Sequence, residues 1–291
     1  MGGASLVDGR SHAASSCLPS GGSIAEGRAL APLTALSEAL PGARTPASPF
    51  AVGERRFVSE RRFAVSLLQG FAVRGAEGPV NLPVSAQRLV ALLALQGRPV
   101  QRVFVYGVLW GDTSEAHASA CLRTALWRIR QRAADLVRSE RGTVALGDAD
   151  VDVRGLQECA QRRLAGDDRL STAELYALCD AGELLPDCYE DWALLERERF
   201  RQLRLQALEA SVDMLTACGR GGEAMVAAMA AVTTEPLRES AHRAVIRLHL
   251  AQGNRNEALR QFRLYRDLSV RELQVDPSEQ MLRLLDPVAT G

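Results

Sequence analysis

The chain has 291 residues, 47% of them hydrophobic and 5% aromatic, and its 35 basic and 35 acidic side chains cancel to zero net charge. That length suggests two domains or one domain with an extension; the apolar fraction excludes a wholly disordered chain, and the lack of a run of about 18 apolar residues excludes a membrane-spanning helix. Every basic residue is arginine, which removes Walker-type phosphate lysines, Schiff-base lysines and lysine general bases in one step.

The six cysteines, at positions 17, 121, 159, 179, 188 and 218, form no C-x-x-C pair and have no histidine at ligand spacing. This usage points to reduced thiols in a cytoplasmic protein, not to a disulfide framework or a zinc site. No continuous apolar stretch follows basic residues at the N-terminus, so no secretory leader is expected.

Residues 1–62 are rich in Gly, Ala, Ser and Pro and lack the apolar density for a core. A mostly disordered extension is expected there, with a weak helix near 29–40. From Phe63 the texture changes. Phe63, Val65 and Leu67 alternate with Ala64 and Ser66, Gly70 turns the chain into Phe71-Ala72-Val73, and a second turn leads to Val80-Asn81-Leu82. Period-two alternation broken by glycine predicts short antiparallel strands. Three helices follow, over 85–96, 100–110 and 114–136, with Gly97 and Gly111 as stops, Ser114 as N-cap and Glu115 in the first turn. Strands over 137–139 and 143–146 then flank Glu140-Arg141-Gly142, a hairpin whose glycine tolerates positive φ. Strands, three helices and a hairpin are the order of a winged helix-turn-helix over 63–147.

Beyond Asp148 the pattern is helical, with helices expected near 152–165, 171–182, 189–218, 222–232, 237–252, 255–273 and 277–286. The best-marked pair is 242–252 with 256–268. Leu248, Leu250 and Gly253 precede Ala258, Leu259, Phe262 and Tyr265, the small-then-large spacing of a tetratricopeptide hairpin. The expected fold class is therefore mainly α: an N-terminal α+β winged helix-turn-helix followed by an all-α tetratricopeptide-like domain over 148–291.

Zero net charge hides an asymmetry. Residues 63–147 carry ten arginines against five acids, +5, whereas 148–291 carry 18 arginines against 25 acids, −7. One basic and one acidic module are expected when only the first meets a polyanion. The third helix sharpens this. At about 100° per residue, Ala125, Leu126, Ile129 and Ala133 lie within about 60° of Leu122 and form the buried stripe. Arg123, Thr124, Trp127, Arg128, Arg130 and Gln131 lie opposite. Arginine can bind guanine or phosphate, threonine and glutamine can reach base edges, and tryptophan can pack on sugars or thymine methyls, so this face suits a major groove of double-stranded DNA. The competing reading is a solvated basic face, or a tryptophan folded back under the wing. In the hairpin, Arg141 at the tip is favoured as a contact to phosphate or minor groove, and Arg138 is balanced between contact and solubility.

These residues carry a resemblance. The run Gln87-Arg88-Leu89-Val90-Ala91-Leu92-Leu93, then Leu109-Trp110-Gly111-Asp112 and Leu122-Arg123-Thr124-Ala125-Leu126-Trp127-Arg128-Ile129-Arg130, resembles the DNA-binding half of SARP-type bacterial activators. In that family an OmpR-type winged helix precedes a bacterial transcriptional activator domain. Leu184-Leu185-Pro186, Tyr189-Glu190-Asp191-Trp192, Glu235-Pro236-Leu237-Arg238-Glu239 and the stretch from Gly253 to Tyr265 are similar to the second domain. The resemblance implies that Arg128 and Arg130 contact bases and phosphates, and that the loop Gly111, Asp112, Thr113, Ser114 and Glu115 touches RNA polymerase. It also implies direct-repeat DNA sites; a homodimer on DNA is expected because one winged helix reads only a few base pairs and pairing two copies multiplies affinity through effective concentration. Two departures bear on the operator: Gln131 stands where the family has a further basic residue, and Trp127 where a small or polar residue is common.

The function expected is that of a cytoplasmic, sequence-specific DNA-binding transcriptional activator, with no cofactor and no membrane partner. The alternative is a tetratricopeptide-type scaffold whose winged helix docks protein; the arginine face of the third helix separates the two, since a scaffold has no need of it. An enzyme is not expected. The four histidines (12, 117, 242 and 249) are isolated, and no nucleophile–base pair appears. His242 and His249, seven apart on one helix, are read as packed or solvated side chains.

Overall fold

The computed structural model describes residues 62–285 apart from 168 and 170. The extension expected over 1–62 lies outside the described residues except for Arg62. The alternating segment after it forms β1 (Phe63–Ser66) and β2 (Ala72–Gly75), antiparallel with Val65 opposite Val73 and both valines buried. The strand expected at 80–82 is instead β3 (Gly78–Pro79), two residues long and paired with Arg74 and Gly75, with the Val80 N–H donating to the Val73 carbonyl (2.8 Å) just beyond it.

Three helices follow: α1 (Val84–Gln96), α2 (Arg102–Trp110) and α3 (Glu115–Arg132). Gly97 ends α1 in the left-handed conformation, φ 66°, with its N–H donating to the Leu93 carbonyl. Two of the expected helix bounds are corrected. Val100 and Gln101 do not begin α2; they form β4, pairing with Val144 and Thr143. The third helix stops at Arg132, not 136, where Ala133 takes an extended φ of −154°. Its buried residues Ala118, Leu122, Ala125 and Ile129 keep the spacing of a single stripe.

The hairpin consists of β5 (Val137–Glu140) and β6 (Thr143–Leu146), and β4 extends it to a three-stranded sheet of order β4-β6-β5. Its two turn residues, Arg141 and Gly142, both have positive φ (46° and 85°), the geometry of a type I′ turn that matches strand twist. Gly147 then passes so close to the end of α3 that a Cβ would lie 2.0 Å from the Asp135 carbonyl oxygen. Only glycine fits there.

A strand the sequence did not announce, β7 (Ala149–Val151), runs parallel to β1 and completes a sheet of order β3-β2-β1-β7. The winged-helix sheet thus continues past position 147. Directly after β7, Asp152 opens α4 (Asp152–Leu164) and accepts the backbone N–H groups of Leu67 (3.0 Å), Leu68 (3.1 Å) and its own neighbour Val153 (2.7 Å). Burial pushes its carboxyl above the usual range, and those three donors oppose the shift.

The remaining helices are α5 (Thr172–Asp180), α6 (Asp191–Ala217), α7 (Gly221–Thr234), α8 (Glu239–Ala251), α9 (Arg255–Leu273) and α10 (Glu279–Arg283). α6 packs on α7, and α8 on α9, as tetratricopeptide-like helical hairpins. The core face of α7 is all alanine (Ala224, Ala227, Ala228 and Ala231), which lets α6 and α8 approach closely. Arg238 grips Glu209 on α6 through two hydrogen bonds of 2.7 and 2.8 Å. Among the described residues, no helix is long and apolar enough to cross a membrane.

The two halves share one core. Leu184, Leu185, Ala193 and Phe200 cluster with α1 and with Val65, Leu67 and Val73. That explains why α1 is buried almost all round, with seven residues from Ala86 to Ala94 in the interior. The backbone is stitched as well: Gln69 N–H donates to the Glu183 carbonyl (2.8 Å), and Leu185 N–H to the Leu67 carbonyl (2.8 Å).

Asp152→Ala should lower stability by about 1–3 kcal/mol, because it strands the N–H groups of Leu67 and Leu68 in the interior. Urea denaturation of the full chain at neutral pH measures this, and an unchanged midpoint would mean that water replaces the carboxylate. A second expectation concerns His242, which is buried against Tyr265. Its Nε2–H donates to the Pro236 carbonyl (2.9 Å) and its Nδ1 accepts from Gln261 (2.8 Å). Burial holds its pKa below the ordinary 6.5. The unfolded chain therefore takes up a proton that the folded chain refuses, so stability present above about pH 6.5 declines as the pH drops below it. Glu209 and Glu239, whose pKa values are lowered, add their own loss only at the more acidic carboxylate range. His242→Gln should flatten the first decline in melting temperature and leave the second.

Candidate nucleic-acid interface

The capped start of α3 sets the face it presents. Ser114 accepts the His117 N–H, Glu115 complements the helix N-terminus, and Arg130 and Arg132 the C-terminus. With the Leu122 stripe turned inward, Arg123, Thr124, Trp127, Arg128, Arg130 and Gln131 all lie exposed on the outer face. Trp127 is 61% exposed, which removes the alternative that it folds back under the wing.

The side chains on this face differ in how free they are. Arg123 donates to Ser119 Oγ (3.1 Å) and Thr124 Oγ1 donates to the Ala120 carbonyl (3.0 Å), so Thr124 keeps only its acceptor capacity. Arg128, Arg130 and Gln131 make no side-chain hydrogen bond or ion pair among the described residues. The contrast with the other half is sharp: Arg162, Arg197, Arg201, Arg220, Arg238 and Arg243 each meet a carboxylate.

The wing separates its two arginines. Arg141 stands exposed at the tip of the β5–β6 turn. Arg138 pairs across from Ala145 and points, with Glu140, to a pocket of about 320 Å³ that Arg98 and Arg154 also line. On α2, Val103 and Phe104 are exposed apolar side chains that sequence periodicity does not single out.

The loop of Gly111, Asp112, Thr113, Ser114 and Glu115 is exposed throughout. Both its ends are anchored. Thr113 Oγ1 donates to the Trp110 carbonyl (2.9 Å), and Glu115 accepts the Tyr106 hydroxyl (2.7 Å), a bond that raises the Tyr106 pKa. Behind the loop, Arg88 donates to the Leu109 carbonyl (2.6 Å), lies 5.8 Å from the Trp110 ring and pairs with Glu190 of the helical half. Sequence reasoning names Arg88 and Glu190 only within the runs that carry the resemblance, without a role, and does not single out Tyr106; the signal for Arg88 is a cation set beside the most apolar run of the chain.

Burial raises the Cys159 and Cys188 pKa values and pushes Cys179 up to about 11, so these thiols stay protonated. Among the described residues no group of three His, Cys, Asp or Glu side chains is placed to hold a metal ion.

Comparison with known proteins bears on the helical half and on the fold. Residues 158–288 match the family described as bacterial transcriptional activator domain. The regulatory protein AfsR of Streptomyces coelicolor is 31% identical over 211 residues, covering 67% of this chain and 21% of AfsR. AfsR of Streptomyces griseus is 29% identical over 212 residues, covering 69% and 22%. The chain spans about a fifth of the length of these relatives. Among solved structures, Mycobacterium tuberculosis EmbR, in complex with a low affinity phosphopeptide, superposes with a TM-score of 0.63 at 18% identity, covering 79% of this chain and 65% of EmbR, and shows the shared fold. Residues 158–288 thus match a bacterial transcriptional activator domain, and these likenesses together support a transcriptional regulator similar to the SARP type.

Proposed function

We propose that this regulator is a cytoplasmic activator that binds double-stranded DNA in a sequence-specific way, with α3 in the major groove. The observation that carries the reading is the outer face of α3, where Arg128, Arg130 and Gln131 stand exposed and, among the described residues, without side-chain partners, while the arginines of the helical half are largely paired. Unpaired guanidinium groups on one face can displace counterions from a phosphate backbone, and their fork matches the guanine edge. Trp127 supplies an apolar surface for a thymine methyl or a sugar, and Thr124 and Gln131 reach base edges. Arg141 at the wing tip enters the adjacent minor groove. Two copies bind direct repeats head to tail, about 10–11 base pairs apart, so that both lie on one side of the duplex. The exposed loop of residues 111–115 is then free to meet RNA polymerase.

The test uses the full-length protein and duplexes selected from a random pool. Affinity should fall with salt with a log–log slope of several units, about 0.9 for each phosphate neutralised. Arg128→Ala should reduce discrimination between selected and random DNA by about 1–3 kcal/mol, whereas Arg141→Ala should weaken both nearly alike. Folded protein that binds no duplex at low ionic strength would sink the proposal.

A further inference from the structure

The pocket behind the wing brings together charges that the DNA reading does not use. Arg98 comes from the α1–β4 connection, Arg138 from β5 and Arg154 from α4, so three separate elements place guanidinium groups around about 320 Å³ of space. No residue of α3 lines it. Arg154 is held in place by a hydrogen bond from its Nε to the Ala94 carbonyl (2.9 Å), and its guanidinium lies 3.6 Å from where a Cβ would stand on Gly97. Arg98 and Arg138 make no hydrogen bond or ion pair among the described residues. Pro99 and Ala145 give the pocket an apolar wall, and Glu140 is the one acid in its lining.

We propose that this pocket binds a small phosphorylated, hydroxyl-bearing molecule of the sugar-phosphate class. The phosphate sits among Arg98, Arg138 and Arg154, where planar donor forks supply paired hydrogen bonds. Glu140 accepts hydroxyl groups of the organic part, which rests on Pro99 and Ala145. A single phosphate suits three cations opposed by one carboxylate, and the volume is at the lower end of the range for small-molecule sites. Occupancy would join β5 of the wing to α4 of the helical half, so the ligand would fix the wing against the activator domain.

The experiment is calorimetry and thermal melting of the DNA-free full chain, which keeps its outcome independent of whether α3 reads DNA. Glucose 6-phosphate is the probe, with glucose and pyrophosphate as comparisons at constant ionic strength. Glucose 6-phosphate should bind and raise the melting temperature, glucose should not, and pyrophosphate should bind more weakly because Glu140 opposes the added charge. Arg98→Ala, at an exposed side chain without partners, should weaken glucose 6-phosphate about tenfold, the scale of one charge-assisted contact. Arg128→Ala should leave it unchanged, and Arg98→Ala should leave DNA affinity unchanged when no sugar phosphate is present. The proposal is overturned if neither phosphate compound binds at millimolar concentration, or if Arg128→Ala abolishes binding while Arg98→Ala does not. Pyrophosphate binding more tightly than glucose 6-phosphate would overturn the role of Glu140. Loss of DNA affinity in Arg98→Ala, with competition between glucose 6-phosphate and DNA, would assign the pocket to a DNA phosphate instead.

Discussion

Where β1 ends, the chain passes from buried Leu67 through half-buried Leu68 to exposed Gln69, and the backbone polar groups that leave water there must find partners. They find them in the helical half of the chain. The Asp152 carboxylate takes the N–H groups of Leu67 and Leu68, Leu185 donates to the Leu67 carbonyl, and the Glu183 carbonyl takes the Gln69 N–H. An uncompensated buried amide costs about 1–3 kcal/mol, so the winged helix cannot shed the helical half without exposing or orphaning this strand end. Gly182 belongs to the same junction, for a Cβ there would lie 2.1 Å from the Gln69 side chain. The central position of α1 follows. It is apolar nearly all round because the α2–α3 pair and the wing sheet cover part of its surface, and the apolar residues between 184 and 200 cover the rest.

Arginine is the chain's only basic side chain, so the same chemical group must serve both as structural clamp and as candidate ligand-binding cation. The distinction is made by neighbours. Arg238 and Arg201 bridge helices through Glu209 and Glu235, and Arg204 caps the end of α5 by donating to the carbonyls of Leu178 (2.7 Å) and Cys179 (2.6 Å). These part-buried ion pairs cancel charge locally, so their guanidinium groups are not free to meet a polyanion. On α3 the acids are withheld after Glu115, and the guanidinium groups are not cancelled in this way. In the helical half the arginines are largely met by acids of that same half, and the −7 is the acidic excess that remains after they are counted.

What could be read in advance depended on range. The α3 stripe is legible because burial on one side of an 18-residue helix repeats every 3.6 residues, and α9 (Arg255–Leu273) coincides with the expected span because asparagine and glycine mark its start. The turn at Gly142 is legible from local chemistry. By contrast β7 is three residues long and its partner lies more than 80 positions earlier, so no local pattern distinguishes it from a linker. β4 is hidden for the same reason: its two residues are apolar and polar in a way that suits either strand or helix until β6 arrives to pair with them. For the candidate site, the outer face of α3 could be drawn from angles alone. The tip position of Arg141 could be read from the turn, but the place of Arg138 in a pocket with Arg154 could not, because it depends on the β5–β6 register and on an element beyond the hairpin.

Arg88 shows how the two halves bear on the exposed loop. It is half-buried, donates to the Leu109 carbonyl at the end of α2, and faces Glu190, which also accepts the Trp192 indole N–H (2.9 Å). The Arg88 Nε is buried and unpaired, so the guanidinium already bears some desolvation cost that its carboxylate partner offsets. Removing Glu190 would leave a partly buried cation next to the last turn of α2, and the least costly relaxation is for Arg88 to swing outward and release the Leu109 carbonyl. Since Trp110 and Thr113 continue directly from that turn, the conformation of the 111–115 loop is set in part by a residue of the helical half, 75 positions beyond its own last residue, Glu115, and not by its own sequence alone.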